Sequence, residues 1–100
     1  HQVLAELQHL HVPALGDWDD DLGIAWAVPI EIIPKLTKFK KTYWIVKFID
    51  ASSKITTVKC WGIKPGETLH VNHPYMLKLD NDPRWGFSTR SIRHNFKLLA

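Results

Sequence analysis

The chain has 100 residues, of which 45% are hydrophobic, and a formal net charge of +3 at pH 7. A chain of this length forms one domain around one core, which excludes a two-domain enzyme. Because it has neither a long apolar run nor a basic start followed by an apolar block, we expect no membrane span and no signal peptide. The single cysteine, Cys60, excludes an internal disulfide and favours a reducing compartment such as the cytoplasm.

The first 23 residues carry the pattern of a short helix followed by an acidic loop. Apolar residues recur at helical spacing in QVLAELQHLHVP, and Pro13 ends the element. ALGDWDDDLG then combines turn-forming and acidic residues, so we interpret residues 1–23 as a helical, acidic N-terminal arm. The helical pattern starts at His1 with no methionine before it, and we expect the chain to be a fragment of a longer protein.

Five strand patterns follow, between residues 24 and 92. IAWAVPIEII is apolar and β-branched, and Pro29 within it indicates a sheet edge or a bulge. PKLTKFKK has the composition of a basic loop, and TYWIVKFID and KITTVKCWG are joined by ASS, which predicts a hairpin. After a turn at KPG, ETLHVNHPYMLKL predicts a fourth strand, and RWGFSTRSI, after a turn at DNDP, a fifth. Residues 93–100 form a C-terminal tail in which a short helix would fit.

These strands predict an all-β fold, a small five-stranded barrel. Closure removes most of the exposed edge that such short strands would otherwise leave. The two faces of the second strand carry Trp44, Val46 and Phe48 on one side and Tyr43, Ile45, Lys47 and Ile49 on the other. Both faces are apolar enough to be buried, so the sequence leaves open which one is inside. An outward face with Tyr43 and Lys47, joined by Lys59 and Trp61, would form an aromatic and cationic platform.

Charge is distributed unevenly along the chain. Residues 1–34 contain six acidic residues and no lysine or arginine, whereas residues 35–64 contain eight lysines and one acidic residue. This asymmetry favours an anionic partner for the middle of the chain. Lysines that only solvate strand edges and prevent sheet aggregation explain the pattern equally well.

The pattern TKFKKTYWIVKFIDASSKITTVKCWG resembles the first half of an OB-fold nucleic-acid-binding domain. In that family a basic loop leads into an apolar strand that ends in Asp, here Asp50, and the next strand ends near an aromatic residue and glycine, here Trp61 and Gly62. More narrowly, it is similar to the OB domain in the C-terminal region of bacterial and phage replicative DNA polymerases of the polymerase III alpha type (family C). In those a TKKGK-like loop precedes the strand, whereas this chain has TKFKK, with Phe39 and without the glycine.

The resemblance covers about residues 24–90 and implies a five-stranded OB-fold Greek-key barrel over residues 24–92. It implies a non-catalytic module that binds single-stranded DNA on the second and third strands, flanked by the loops at residues 37–41 and 80–84. The residues expected to bind nucleic acid are Lys38, Lys40, Lys41, Tyr43, Lys47, Lys59, Trp61, Arg84, Trp85 and Arg90. The implied partner is the remainder of a larger replication protein, located in the cytoplasm of a bacterial or phage-infected cell. We expect no contact with a membrane, and we expect the fragment to be monomeric.

Two other functions remain open. Trp61, Trp85 and Ile45 could instead form an apolar patch for docking a protein, and the same platform accepts RNA or tRNA as well as DNA. Trp61 and Trp85 could each plug a barrel end instead of meeting a base. Trp44 fits the core best, and we interpret the tryptophans of the acidic region, Trp18 and Trp26, as packing residues.

Catalysis and metal binding find little support in the sequence. The acidic residues 17–21 lack the alternation, the central glycine and the final glutamate of a calcium loop. His70 and His73, three apart in a predicted strand, would point to opposite faces. No Gly-rich phosphate loop and no nucleophile motif occurs. We therefore expect no catalytic site, no metal and no cofactor in this chain, although its parent protein could be a DNA polymerase.

Overall fold

The computed structural model describes residues 12–99, and the predicted N-terminal helix, QVLAELQHLHVP, lies outside them except for its last two residues. The described part is mostly β, as predicted. Its strands are β1 (Ile24–Leu36), β2 (Thr42–Ile49), β3 (Ile55–Cys60), β4 (Tyr75–Lys78), β5 (Asp80–Asp82), β6 (Gly86–Thr89) and β7 (Phe96–Leu98). A 3₁₀ turn (Leu15–Asp17) precedes β1, and one helical turn, α1 (Ile92–Asn95), precedes β7. None of the helices in residues 12–99 has the length and apolar character needed to cross a membrane.

The strands form one curled sheet in the order β5-β6-β3-β2-β1-β4-β7. Strands β1, β2 and β3 form an antiparallel meander, β3 and β6 are parallel, and β5 and β6 are antiparallel. β4 pairs with β1 on one side of the sheet, yet only Leu79 separates β4 from β5 at the other. The chain therefore draws the two sides of the sheet toward each other, which gives a shape compatible with a barrel.

The prediction of five strands is wrong, because the sheet has seven among the described residues. The turn predicted at DNDP contributes the additional strand β5, while the Leu79 N–H before it donates to the carbonyl of Gly23 at 3.2 Å, one position beyond the Ile24–Lys78 pair of β1 and β4. The predicted tail contributes β7, which pairs with β4 because Phe96 packs edge-on against Phe48, with ring centres 5.9 Å apart. The first eight residues of the predicted strand ETLHVNHPYMLKL form turns and loops, and Asn72 there has a positive φ of 69°.

Strand β1 is long because it pairs with two strands, β4 and β2. Its residues 24–27 pair with β4 and its residues 28–36 pair with β2. The register shifts between Pro29 and Glu31, so the bulge that Pro29 predicts is confirmed. A bulge bends the strand and increases its twist, which lets β1 turn from one part of the sheet to the other. β1 also continues to Leu36, so that the basic loop is shorter than predicted, at residues 37–41.

The core decides which face of β2 lies inside. Val46 and Phe48 are fully buried, together with Val58 and Cys60 of β3, and Trp44 packs against the same cluster. Full burial of a side chain such as Phe48 contributes about 1.5–3 kcal/mol. The face that carries Tyr43, Ile45 and Lys47 therefore points outward.

The described part of the N-terminal arm packs on the sheet. Leu15 is buried in the main core, and Trp18 lies edge-on against Phe87 with ring centres 5.0 Å apart, which agrees with a packing role for Trp18. Asp50, at the end of β2, accepts a hydrogen bond from the Gly16 N–H at 2.7 Å. A side chain at Gly16 would overlap the Asp50 carboxylate. These contacts tie the start of the acidic segment to the β2–β3 turn.

Asp50 also orders the turn that joins β2 to β3. Its Oδ1 accepts bonds from the N–H and the hydroxyl of Ser52, at 2.9 and 2.6 Å. Burial opposes ionisation of this carboxyl group, but the hydrogen bonds from Ser52, Gly16 and the Lys54 N–H outweigh it and hold the pKa of Asp50 below its ordinary value. The residue that ends the second strand is thus a structural anchor.

Candidate nucleic-acid interface

The outward face of the meander combines apolar and cationic side chains. In the ladders Ile45 lies opposite Lys59, Lys47 opposite Thr57, and Lys59 opposite Ser88 of β6. Because alternate residues of a strand point to the same side, Tyr43 and Trp61 continue this face toward the loop at residues 37–41. The fold thus places Tyr43, Lys47, Lys59 and Trp61, four of the expected binding residues, on one surface.

Tyr43 and Trp61 stack on each other on this surface. Their ring centres are 4.3 Å apart and the ring planes differ by 22°. The Trp61 N–H donates to the carbonyl of Thr89 at 2.9 Å, which fixes the backbone beside the end of β6. Gly62, with φ of 67°, lies so close to the carbonyl of Arg90 that a side chain would overlap it. Trp61 therefore lies on the outside of the sheet and does not plug a barrel end.

Trp85 stands at the tip of the β5–β6 hairpin and is 65% exposed. Oδ1 of Asp82 accepts the N–H groups of Arg84 and Trp85, at 2.7 and 2.9 Å, and Gly86 completes the turn with a φ of 82°. A side chain that bonds the backbone two and three residues onward stabilises such a turn. Trp85 is therefore presented to solvent on an ordered loop.

Two cations lie close to the Trp85 ring. Nζ of Lys59 lies 5.7 Å from the ring centre, and the guanidinium carbon of Arg84 lies 5.2 Å from it. Both distances are within the range of a cation–π interaction, which is worth about 0.5–1 kcal/mol at an exposed site. The positive charge of Lys59 and Arg84 is thus held beside an exposed aromatic face.

Between the two aromatic walls runs a groove that we call the tryptophan groove. It has a volume of about 440 Å³ and is lined by Lys59, Trp61, Asp82, Trp85 and Ser88. Lys59 and Ser88 are ladder partners and form its floor. Small-molecule sites have volumes of about 300–1,000 Å³, so the tryptophan groove is large enough for a flat heterocycle.

The loop at residues 37–41 carries three exposed lysines in a tight turn. The Thr37 N–H donates to the carbonyl of Lys41 at 2.9 Å, and the Thr37 hydroxyl accepts the Lys41 N–H at 3.1 Å. Lys40 has a φ of 62°, in the left-handed region that favours glycine. The turn therefore places a lysine where glycine would be relaxed.

Phe39 is a residue that the sequence-based set omitted. It is 75% exposed at the tip of the loop, and Nζ of Lys38 lies 5.2 Å from its ring centre. Lys35 is another: it was assigned to a loop, but it lies in β1 opposite Tyr43. Continuing the β1–β2 hairpin register backward from the turn would have identified Lys35. Phe39 could have been noticed as an aromatic residue between lysines in a turn.

Not all of the expected residues meet in one place. Lys38, Lys40 and Lys41 lie in the loop beyond the start of β2, whereas Lys47 lies near its far end, opposite Glu31 of β1. That carboxylate reduces the positive potential around Lys47. Arg90 is exposed directly after β6, with its backbone against Gly62. The tryptophan groove thus gathers Lys59, Trp61 and Trp85, with Arg84 beside the last.

Other reactive groups do not form a second centre within the part of the chain that the structure describes. Burial raises the pKa of the Cys60 thiol to about 12, so this cysteine stays protonated at neutral pH. The prediction that His70 and His73 point to opposite faces of a strand is wrong, because they flank a turn with ring centres 6.0 Å apart. Among residues 12–99 no three His, Cys, Asp or Glu side chains are grouped to hold a metal ion.

Comparisons of the chain with protein-family models, with curated proteins and with solved structures found no match. The similarity to OB domains of replicative polymerases therefore depends on the residue pattern alone. It stays a hypothesis about both the fold family and the parent protein.

Proposed function

We propose that the curled sheet is an OB-fold barrel in which β4 and β5 together serve as the fourth strand and β6 as the fifth. The strand pairing supports this assignment: a meander of β1 to β3, a parallel contact from β3 to β6, and a fourth strand that pairs with β6 through β5 and with β1 through β4. In such barrels the face of strands two and three, flanked by the loops after strands one and four, binds oligonucleotides. β7 is then an addition at the edge of β4.

We further propose that this module binds single-stranded DNA without catalysing a reaction. The observation that carries the proposal is the exposed, ordered Trp85 facing the Tyr43–Trp61 stack across the tryptophan groove, with Lys59 on its floor. A base stacked on an aromatic side chain contributes about 1–3 kcal/mol in single-strand-binding proteins. Because Trp85 is exposed, it contributes little to the core. A stacked base would explain why the turn presents a tryptophan to solvent.

Phosphates would be bound by the basic loop at residues 37–41. Each lysine that neutralises a phosphate releases counterions, so log K falls with log salt by about 0.7 per contact on single strands. The three lysines of the loop would account for a slope of about 2. In a polymerase of the alpha type, the module would hold the template strand ahead of the active site, a role that only the residue pattern supports.

The first test is the fluorescence anisotropy of a labelled oligothymidine titrated with the chain at low and high salt. A triple alanine variant of Lys38, Lys40 and Lys41 should bind more weakly and with a shallower salt dependence. The matched control replaces three exposed lysines of other regions, Lys64, Lys78 and Lys97, by alanine and removes the same charge. Equal loss in both variants would mean that net charge alone matters and that the loop is not a binding element.

The result also separates the rival functions. Protein docking through Ile45, Trp61 and Trp85 would hardly depend on salt, whereas phosphate binding weakens strongly as salt is added. The absence of any binding of oligothymidine and of oligo-dC at low salt would overturn the proposal, and the tryptophans would then be core residues or a docking site for protein. Competition between DNA and RNA oligonucleotides of the same length then tests whether the single strand is DNA.

A further inference from the structure

We propose that the tryptophan groove holds one nucleobase and that Asp82 makes it prefer cytosine or adenine, whose amino group occupies the place of thymine O4, over thymine. This inference rests on the proposed function, since it requires that a single strand crosses the outer face. It concerns base preference, which phosphate binding and stacking alone do not supply.

The two oxygens of the Asp82 carboxylate have different roles. Oδ1 accepts both N–H groups of the hairpin turn, those of Arg84 and Trp85. Oδ2 remains for a further donor. Because Asp82 lines the groove together with Trp85 and Ser88, a base stacked on the Trp85 ring would bring its edge to the carboxylate.

An ionised carboxylate only accepts hydrogen bonds, so it distinguishes between base edges. Cytosine presents its N4 amino group and adenine its N6 amino group as donors, whereas thymine presents the O4 oxygen at the same place. A thymine stacked in the same orientation would therefore set its O4 acceptor against Asp82. The hydroxyl of Ser88 both donates and accepts, so it supports either base and does not discriminate.

The negative charge of the Asp82 carboxylate does not prevent a polyanion from binding in the groove. Lys59 and Arg84 both lie near the Trp85 ring, with Nζ and the guanidinium carbon 5.7 and 5.2 Å from its centre. These two positive charges balance the negative charges of Asp82 and of Asp80, which lies opposite Ser88 in the β5–β6 ladder, so phosphates beside the stacked base meet no net negative charge. The carboxylate is thus able to read a base edge while the cations hold the backbone.

Asp82 also has a plain structural role, since it caps the turn. The substitution D82N separates the two roles. An asparagine keeps a carbonyl oxygen for the N–H groups of Arg84 and Trp85 and is a common residue in such turns. It replaces the second oxygen by an NH₂ group, which donates to thymine O4 and opposes the cytosine amino group.

The experiment compares short labelled oligo-dC and oligo-dT of equal length in anisotropy titrations at one salt concentration. We expect the natural chain to bind oligo-dC about tenfold more tightly, or about 1.4 kcal/mol. We expect D82N to bind oligo-dT at least as tightly as oligo-dC. If D82N does not fold, D82S serves instead: its hydroxyl caps the turn and lacks the second acceptor, so the preference should disappear without reversing.

The outcomes distinguish this inference from the proposed function. Equal binding of oligo-dC and oligo-dT by the natural chain overturns the base preference but leaves single-strand binding intact. A preference for oligo-dC that persists unchanged in D82N, or in D82S where that is used, removes Asp82 from the recognition. No binding of either oligonucleotide overturns the proposed function and this inference together.

Discussion

Replacing Lys40 by glycine should stabilise the fold and weaken DNA binding at the same time. Lys40 has a φ of 62°, and a residue other than glycine in the left-handed region costs roughly 1–2 kcal/mol. Glycine offsets part of this gain, because its greater freedom in the unfolded chain costs about 0.5–1 kcal/mol. We therefore expect the free energy of unfolding to rise by about 0.5–1 kcal/mol. In a domain of this size each kcal/mol raises Tm by about 4–8 °C.

The matched control is K38G. It removes the same charge from the same loop, but Lys38 is not among the described residues with positive φ. K38G should lower the free energy of unfolding by about 0.5–1 kcal/mol, so the two variants should differ by roughly 1–2 kcal/mol, the cost of the left-handed conformation. Urea denaturation followed by tryptophan fluorescence measures both values.

DNA binding supplies the second half of this test. Both variants lose one lysine, so each should lower the salt slope of oligonucleotide binding by about 0.7. A more stable chain that binds more weakly would mean that Lys40 is retained for its charge at the expense of stability. The reasoning is refuted if K40G is destabilised as much as K38G, because the loop would then store no strain.

Two further outcomes follow from the contacts of Trp85 and Asp50. W85A should weaken oligonucleotide binding by roughly five- to a hundredfold, which corresponds to the loss of one stacked base. It should change the free energy of unfolding by no more than about 0.5 kcal/mol, because the Trp85 side chain is 65% exposed. A large loss of stability would instead make Trp85 a packing residue. D50N should cost about 1–3 kcal/mol at pH 7 by leaving Gly16 or Ser52 N–H groups without a charged acceptor. Because the folded-state pKa of Asp50 is lowered, its contribution is present above the unfolded pKa of about 3.9 and is lost as pH falls through the folded value. The free energies of unfolding of the natural chain and of D50N, measured by urea denaturation, should therefore converge in strongly acidic solution. A difference between them that stays constant with pH would contradict the role of the Asp50 charge.

Local sequence patterns were enough to predict the central hairpin. The alternation of TYWIVKFID and KITTVKCWG and the short ASS turn correspond to β2 and β3, paired from Trp44 and Cys60 to Ile49 and Ile55. The bulge at Pro29 was equally predictable, since proline lacks the N–H that a regular ladder requires. These features depend on neighbouring residues, which the sequence displays directly.

The remaining strands depend on contacts between distant parts of the chain. β7 is held on the sheet by the contact of Phe96 with Phe48, and Leu79, between β4 and β5, bonds to Gly23. Neither partner is visible in the local pattern of residues 75–98. The same reason explains why the inward face of β2 stayed open: Ile45 and Ile49 are as apolar as Val46, and only the assembled core selects between them.

In the candidate site, too, some features follow from local sequence patterns and others from contacts between distant residues. Tyr43, Lys47, Lys59 and Trp61 could be grouped from alternation alone, because they occupy one face of two neighbouring strands. The position of Trp85 beside the groove required the parallel contact of β3 with β6, which joins residues about thirty positions apart. The sequence did not indicate a binding role for Asp82, because an aspartate in a turn is already explained by the local hydrogen bonds that stabilise the turn.

The two charged segments of the chain are kept apart by β2. The basic loop at residues 37–41 precedes its first residue, Thr42, while Asp50 at its end holds Gly16, next to the acidic Asp17. The eight residues of the strand extend about 23 Å at roughly 3.3 Å per residue. That exceeds the Debye length of about 8 Å at physiological salt. Asp17 therefore does not neutralise the lysines of the loop, and under the proposed function these lysines would attract a single strand to the end of β2 where Tyr43 and Trp61 stack.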